Sequence, residues 1–160
     1  MSDKKEKKKV SFPLHDASEA GDLDKVKSLI KRRHDINSYD QKHWTPLHCA
    51  ANNRQLHVCK YLLKNGANPT LVTANNATPL HYLARINDIT VEFTALLKLI
   101  MDKGCDVNQL NYQRNSPLFE AAARGATYSA SFLLDNGAKH DLVNSFAPSF
   151  PYQLYASIKI

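Results

Sequence analysis

Several side chains that could bind a metal ion or move a proton lie close together in the sequence, between residues 43 and 59. They are His43, His48, Cys49, His57 and Cys59. Imidazole nitrogens and thiolates are the ligands that zinc prefers, and a structural zinc site needs four of them converging as a tetrahedron. A histidine could also act as a general acid or base, and His81 is a further candidate for that role. Which chemistry is open to these residues depends on the elements that carry them.

Two of the histidines belong to a short sequence motif that is repeated in the chain. Thr45-Pro46-Leu47-His48 recurs as Thr78-Pro79-Leu80-His81, at a spacing of about 33 residues. Weaker copies are Pro13-Leu14-His15, Ser116-Pro117-Leu118-Phe119 and Phe150-Pro151-Tyr152-Gln153. All five glycines fall in phase with these copies, at points where a helix must stop and a positive φ is wanted. A period of this length predicts a stack of small helical units.

The stretch from Asp40 to Ala51, followed by Leu56, Val58, Leu62, Leu63 and Gly66-Ala67-Asn68, resembles an ankyrin repeat. The resemblance implies an all-α solenoid of stacked helix-turn-helix units with β-hairpin-like connecting fingers. It covers about residues 13 to 142 as four repeats, with a partial fifth. Since one unit buries too little apolar surface to fold alone, the faces between neighbouring units should form the core.

The length of 160 residues suits one domain, which we place at 11–160 behind a basic tail at 1–10. The expected repeats are 11–38, 39–71, 72–109 and 110–142, with a partial repeat at 143–160. The tail has too little apolar surface to offset the entropy of ordering, so we expect it to be mobile. It is either a plain solvated leader, or a nuclear import signal or an anchor to acidic lipid. The apolar end of the chain either folds back as a lid or marks a stack that continues.

Each unit has predictable parts. Thr45 should cap the first helix of its unit, with Pro46 in the first turn. Leu47, Cys49, Ala50 and Ala51 should then face the next unit, and Leu56, Val58, Cys59, Leu62 and Leu63 should form the apolar stripe of the second helix. The first unit should expose a polar outer side, made of Asp16, Ser18, Glu19, Lys25, Lys27 and Lys31.

Three departures from the family pattern affect the backbone. His43, Asn76 and Arg114 stand where a finger turn favours glycine, so Arg114 should be strained or its turn altered. Arg33 replaces the glycine that closes the other units. The third unit is longer by about five residues between Ala84 and Leu96, which predicts a longer helix pair or a longer loop.

The resemblance argues against chemistry at the histidines. In the ankyrin pattern, His48 and His81 each bond near the start of their own helix and join adjacent units. The register also disperses the metal-binding candidates, and no phosphate loop, nucleophile elbow or carboxylate pair is recognisable. We therefore expect no catalysis, no metal, no cofactor and no small-molecule substrate. Cys49, Cys59 and Cys105 should be free thiols, and no stretch is apolar enough to span a bilayer, which favours the cytosol or nucleus.

In ankyrin folds the finger tips and first helices line a concave face. The resemblance places there Gln41, Lys42, Trp44, Asn52, Asn53, Asn75, Ala77, Arg85, Ile86, Tyr112, Gln113, Arg114, Asn115 and Arg124. Trp44, the sole tryptophan, either anchors a partner in this groove or folds over the next finger. With basic residues nearby, the groove should favour an acidic or mixed peptide or protein face.

The leading hypothesis is a protein–protein interaction module, acting as an adaptor, targeting or regulatory domain. Replacing Trp44 and Arg85 by alanine should then weaken binding and leave the fold unchanged. One alternative is an adaptor that binds acidic lipid or nucleic acid through the lysine-rich tail, since the net charge is +6. Another is a small stoichiometric inhibitor of an enzyme.

Overall fold

A computed structural model describes residues 11–140, which form eight α-helices arranged as four successive pairs. We call the first member of each pair a first helix and the other a second helix. The first helices are α1 (Pro13–Ala20), α3 (Pro46–Asn52), α5 (Pro79–Leu83) and α7 (Pro117–Ala123). The second helices are α2 (Leu23–Lys31), α4 (Leu56–Lys64), α6 (Val91–Asp102) and α8 (Thr127–Asp135). The predicted all-α solenoid is confirmed, whereas the predictions for 1–10 and 143–160 lie outside the described residues.

A proline in the first turn begins every first helix. Its fixed φ suits a helix, and the N–H that it lacks would have had no partner there. Thr45 caps α3 as predicted, since its hydroxyl accepts from the His48 N–H at 3.4 Å. Ser116 caps α7 in the same way, accepting from the Phe119 N–H at 3.1 Å. The repeated sequence motif thus marks the start of the first helices.

The units stack through like elements. Each first helix packs on the next one, α1 on α3, α3 on α5 and α5 on α7, and α4 packs on both α2 and α6. Leu47, Leu80 and Leu118 occupy equivalent positions and are at most 2% exposed. Ala50 and Ala51 are fully buried, and their small size lets neighbouring helices approach closely. The core therefore runs as one continuous cluster between the units.

A tight turn forms the tip of each described finger. The Asp40 N–H donates to the Trp44 carbonyl at 2.9 Å, and the same bond recurs from Thr73 to Ala77 and from Asn111 to Asn115. His43, Asn76 and Arg114 all adopt a left-handed φ near 60° in these turns. Arg114 thus accepts the strained conformation and keeps the common turn. Residues 11–140 contain no β-strand, so the hairpin character of the fingers stays a prediction.

The first unit differs from expectation at one residue. Asp16, Glu19, Lys25, Lys27 and Lys31 are exposed, as predicted. The prediction for Ser18 was wrong, because this residue is fully buried. Its hydroxyl finds no hydrogen-bond partner in the described part of the chain.

The extra length of the third unit is divided between helix and loop. α6 has 12 residues, whereas α4 and α8 have 9, and α5 has only 5. Residues 84–90 connect α5 to α6, while three residues suffice in the second and fourth units. The loop is held by Asn87, whose side chain accepts from the Tyr128 N–H at 3.0 Å, and by the Ser129 hydroxyl, which donates to the Ile86 carbonyl. Both predicted alternatives therefore apply together.

None of the helices within residues 11–140 combines the length and the apolar content that crossing a lipid bilayer requires.

Candidate functional site

The first helices present one shared surface, which we call the first-helix face. It consists of the exposed side chains of α1, α3 and α7, the residues that directly follow each first helix, and the finger tips that precede these helices. Because like helices pack side by side, equivalent positions of successive units form rows across this face. One such row contains Glu19, Asn52, Arg85 and Ala123. Its charge changes from acidic in the first unit to basic in the third.

The histidines are structural parts of the stack. The Thr45 N–H and hydroxyl both lie within hydrogen-bond distance of His48 Nδ1, at 3.3 and 2.8 Å, and Nε2 reaches the Ala77 carbonyl of the next unit at 3.1 Å. A carbonyl only accepts, so Nε2 carries the proton and Nδ1 accepts. Burial lowers the pKa of His48 to about 4, which keeps the ring neutral as this pattern requires. With both nitrogens engaged, His48 has no free atom for proton transfer.

His81 repeats this arrangement one unit later. The Thr78 N–H donates to His81 Nδ1 at 3.1 Å, and His81 Nε2 donates to the Asn115 carbonyl at 3.1 Å. Desolvation by burial lowers the pKa of His81 as well. The predicted structural role of both histidines is confirmed by these bonds.

The metal-binding candidates are kept apart by the register. Cys49 and Cys59 are buried in α3 and α4, His43 is exposed in a finger turn, and His57 donates to the Gly21 carbonyl. No group of three or more potential metal ligands converges in the part of the chain that the structure describes. All three cysteines are free thiols. Burial raises the pKa of Cys49 to about 12 and that of Cys105 to about 11, so neither forms a thiolate readily.

Trp44 borders one cleft in the first-helix face. Its backbone N–H donates to Asp40 Oδ1 at 2.8 Å, which fixes the end of the finger turn. Its ring is half-buried and tilts against the Tyr82 ring of α5, with centroids 4.9 Å apart. Trp44 thus packs on the first helix of the next unit. The lining of this Trp44 cleft is Glu19, Asp40, Lys42, Trp44, Cys49, Asn52 and Asn53.

A line of contacts continues from Trp44 across the third unit to the fourth. The Arg85 guanidinium carbon lies 4.9 Å from the centroid of the Tyr82 ring, a cation–π contact. Arg85 Nε donates to Glu120 Oε2 at 2.9 Å, and the Asn115 amide donates to Glu120 Oε1 at 3.1 Å. Glu120 is only 7% exposed, and these two donors satisfy its carboxylate. The centre of the face is therefore rigid and preorganised.

A second cleft, of about 340 Å³, lies beside this line. We call it the arginine cleft, and its lining is Asn52, Arg54, Tyr82, Arg85, Ile86 and Arg124. Arg54 and Arg124 are exposed in the turns that follow α3 and α7, and the walls come from three successive units. Asn52 lines both clefts and so lies between them.

The exposed finger residues lie at the tips of the turns. Gln41, Lys42, Asn75, Gln113 and Arg114 are exposed, and so is Tyr112, whose surface is 74% accessible. Neighbouring tips are joined by a bond from the Tyr112 N–H to the Asn75 carbonyl at 3.0 Å. These residues belong to three successive finger tips, and Lys42 also lines the Trp44 cleft. Whether they contact a partner stays a prediction.

The structure bears on two sequence-based expectations. Ile86 was predicted to face the groove; it does line the arginine cleft, but it is 5% exposed and belongs to the core cluster, so little of its side chain can reach a partner. Ala77, at 3% exposure, is equally hidden. Arg85 and Trp44 were expected to be replaceable without loss of stability. Because Arg85 contacts the nearly buried Glu120 side chain and Trp44 packs on Tyr82, we now expect each replacement to affect stability as well as binding, which unfolding measurements test.

Sequence reasoning missed three residues of this face, namely Arg54, Tyr82 and Glu120. Tyr82 and Glu120 occupy the same position in their units as Cys49 in the second unit. When the second unit is considered by itself, a cysteine at this position indicates a core residue. Arg54 shares the register of Gly21 and Gly125, and like them it has a positive φ, of 59°. A comparison of the units would have found this residue, because it is an arginine at a position where two other units have glycine.

Comparison with known proteins gives one family. A family model for ankyrin repeats, describing three copies, matches residues 14–93 and 65–144. Among curated proteins, the chain is 33% identical over 137 residues to a probable 26S proteasome regulatory subunit, p28, of Saccharomyces cerevisiae. That alignment covers 83% of this chain and 58% of the yeast protein.

Other relatives are longer still. A putative ankyrin repeat protein of fowlpox virus is 26% identical over 181 residues, covering 91% of this chain and 39% of the viral protein. The human transient receptor potential cation channel subfamily A member 1 is 28% identical over 135 residues, covering 81% of this chain and 11% of the channel. The chain thus spans between about a tenth and three fifths of these relatives.

Proposed function

This chain belongs to the ankyrin-repeat family, a family of protein–protein interaction modules, and from that premise we propose that it binds an extended segment of a partner protein on its first-helix face. The observation that carries the proposal is the line of contacts from Trp44 through Tyr82 and Arg85 to Glu120. Of these residues Trp44 and Arg85 are partly exposed, and tryptophan and arginine are side-chain types that anchor interfaces, whereas Tyr82 is 8% exposed and supports them. A rigid platform lowers the entropy lost when a partner docks.

The role that fits this surface is regulatory or adaptor binding. The name of the yeast relative describes a regulatory subunit of the 26S proteasome, and 83% of this chain aligns with it. By that likeness, we propose that the module acts by occupying a surface of another protein rather than by catalysis. A stoichiometric inhibitor would use the same face, and the identity of the partner decides between the two.

The proposed partner presents a mixed charge. The Trp44 cleft contains Glu19 and Asp40 beside Lys42, whereas the arginine cleft contains three guanidinium groups. A uniformly acidic segment would meet repulsion at the first unit, and a uniformly basic one at the third. The buried free thiols of Cys49, Cys59 and Cys105 fit a reducing compartment, so we place the module in the cytosol or nucleus.

A matched pair of substitutions tests which face binds. Asn52 is exposed between the two clefts, and Lys60 is exposed on α4, which belongs to the row of second helices. After affinity capture and identification of the partner, binding is measured for Asn52→Trp and Lys60→Trp. We expect Asn52→Trp to weaken binding about tenfold or more and Lys60→Trp to change it by less than about twofold. The reverse pattern would place the site on the second helices and refute the proposal.

The alternative use of residues 1–10 concerns a segment outside the described residues and stays a prediction. It is separable by salt and by deletion. Binding that depends on phosphates of lipid or nucleic acid should fall steeply as salt rises and disappear without residues 1–10. Binding at the first-helix face should survive the deletion.

A further inference from the structure

We propose that the arginine cleft binds the carboxylate of an acidic side chain, Asp or Glu, in the partner segment. This inference rests on the proposed function, since it names the chemical group that the first-helix face recognises. It specifies one subsite, bordered by Arg54, Arg85 and Arg124, and one kind of occupant.

The first step is the concentration of arginine. The sequence contains six arginines, and three of them border this cleft although they come from different units. Arginine presents planar N–H donors that match the two oxygens of a carboxylate. Within residues 11–140, the only ion pair that any of the three makes is the one between Arg85 and Glu120. The cleft therefore has more positive charge than its own carboxylate compensates.

The second step is the fixed position of Arg85. Its Nε donates to Glu120, and its guanidinium lies over the Tyr82 ring, so the group is held before any partner arrives. Because a guanidinium carries five N–H donors, the bond from Nε leaves the donors on the two Nη atoms. A carboxylate in the cleft would meet these donors without the entropic cost of ordering a free side chain.

The third step is the choice between a peptide and another anion. Tyr82 gives the cleft an aromatic wall, and Asn52 connects it to the cleft that Trp44 borders. A peptide could place an acidic side chain at the arginines and an apolar one at Trp44. Nucleic acid needs basic contacts along a continuous track. Here the track ends at Glu19 and Asp40, which disfavours successive phosphates.

The test uses peptides selected from a random twelve-residue display library on the full chain. Their affinities are measured by fluorescence anisotropy for the wild type and for Arg54→Gln and Arg124→Gln. Arg32→Gln is the matched control, because Arg32 is exposed at the end of α2 and borders neither cleft. We expect selected peptides to contain Asp or Glu and to bind about tenfold more weakly to each cleft variant, with no change for Arg32→Gln. Replacing the peptide's acidic residue by its amide should cause the same loss.

Other outcomes overturn the inference in distinguishable ways. Peptides that lose binding to Asn52→Trp but not to Arg54→Gln or Arg124→Gln would leave the proposed function standing and remove the carboxylate subsite. Peptides that bind Asn52→Trp as well as wild type, or a selection without any binder, would count against both. A further outcome is that inorganic phosphate or oligo-dC displaces the peptide at concentrations at which the amide form of the same peptide does not displace it. That result would identify a phosphate site instead. Circular dichroism of every variant checks that the helices are intact.

Discussion

Arg85 and Glu120, which are 35 residues apart in the chain, meet through a hydrogen bond of 2.9 Å between Nε and Oε2. The contact joins the third unit to the fourth at the middle of the first-helix face. The Glu120 side chain is 9% exposed and that of Arg85 is 29% exposed, so water screens the charges only in part. Arg85 is thus both a scaffold residue and a surface residue.

The first prediction concerns this pair. Glu120→Gln removes the charge but keeps the shape, and we expect the free energy of unfolding to fall by about 1–2 kcal/mol. Lys27→Gln is the control, because it breaks the exposed ion pair with Asp24 and should change stability by less than about 0.5 kcal/mol. Urea unfolding measures both. Equal stability of Glu120→Gln and wild type would show that the pair contributes nothing.

The second prediction concerns Arg33, which has a φ of 63° where Gly66, Gly104 and Gly137 close the other units. A left-handed conformation costs an L-residue about 1–2 kcal/mol, and glycine costs about 0.5–1 kcal/mol through the entropy of the unfolded chain. Arg33→Gly should therefore raise the free energy of unfolding by about 0.5–1 kcal/mol. Its neighbour Arg32 has a φ of −81°, so Arg32→Gly should lower it. Thermal and urea unfolding of both variants would reveal whether the signs differ.

The third prediction is a loss of stability in mild acid. Burial lowers the pKa of His48 from 6.5 to about 4, so below pH 6.5 the unfolded chain binds a proton that the folded one does not. The contribution of His48 to the free energy of unfolding is therefore fully present above pH 6.5. It decreases as the pH falls towards 4, by about 3 kcal/mol in total. His81 acts in the same direction. Urea unfolding between pH 7.5 and 4.5 tests this, and His48→Gln should flatten the curve. A wild-type curve that is already flat would contradict it.

The fourth prediction uses two neighbouring side chains of the lengthened helix α6. Phe93 is fully buried, whereas Val91 is 79% exposed. Phe93→Ala should lower the free energy of unfolding by about 3–5 kcal/mol, because it leaves a cavity in the core. Val91→Ala should change it by less than about 0.5 kcal/mol. If both changes were mild, the added turn of α6 would not be part of the core.

The sequence predicts the scaffold of this protein well because short local motifs, repeated in each unit, determine it. The caps at Thr45 and Ser116 and the buried leucines at 47, 80 and 118 each follow from residue type and position within the repeat. For Arg114 the sequence predicts either strain or an altered turn, and the structure shows the strained conformation, in which the Asn111 N–H bond to the Asn115 carbonyl keeps the common turn.

The site was less predictable, because its contacts join residues of different units. The ring of Trp44 meets Tyr82, and Arg85 meets Glu120, through spacings that no local rule relates. The burial of Ile86 depends on the loop at residues 84–90, which is held by hydrogen bonds to α8 of the fourth unit. Such contacts depend on the detailed packing of one unit against the next. The repeat period predicts that the units stack, but it does not specify which side chains meet between them.

The turn between α3 and α4 carries a wider consequence. Gly21 and Gly125 complete the equivalent turns of other units without any side chain, whereas Arg54 adopts the same left-handed backbone and carries a guanidinium to the edge of the arginine cleft. The scaffold itself makes no use of a side chain at this point. Specificity can therefore change here by single substitutions that leave the architecture untouched, and the turn is a natural place for selection, or for an engineer, to graft a new contact.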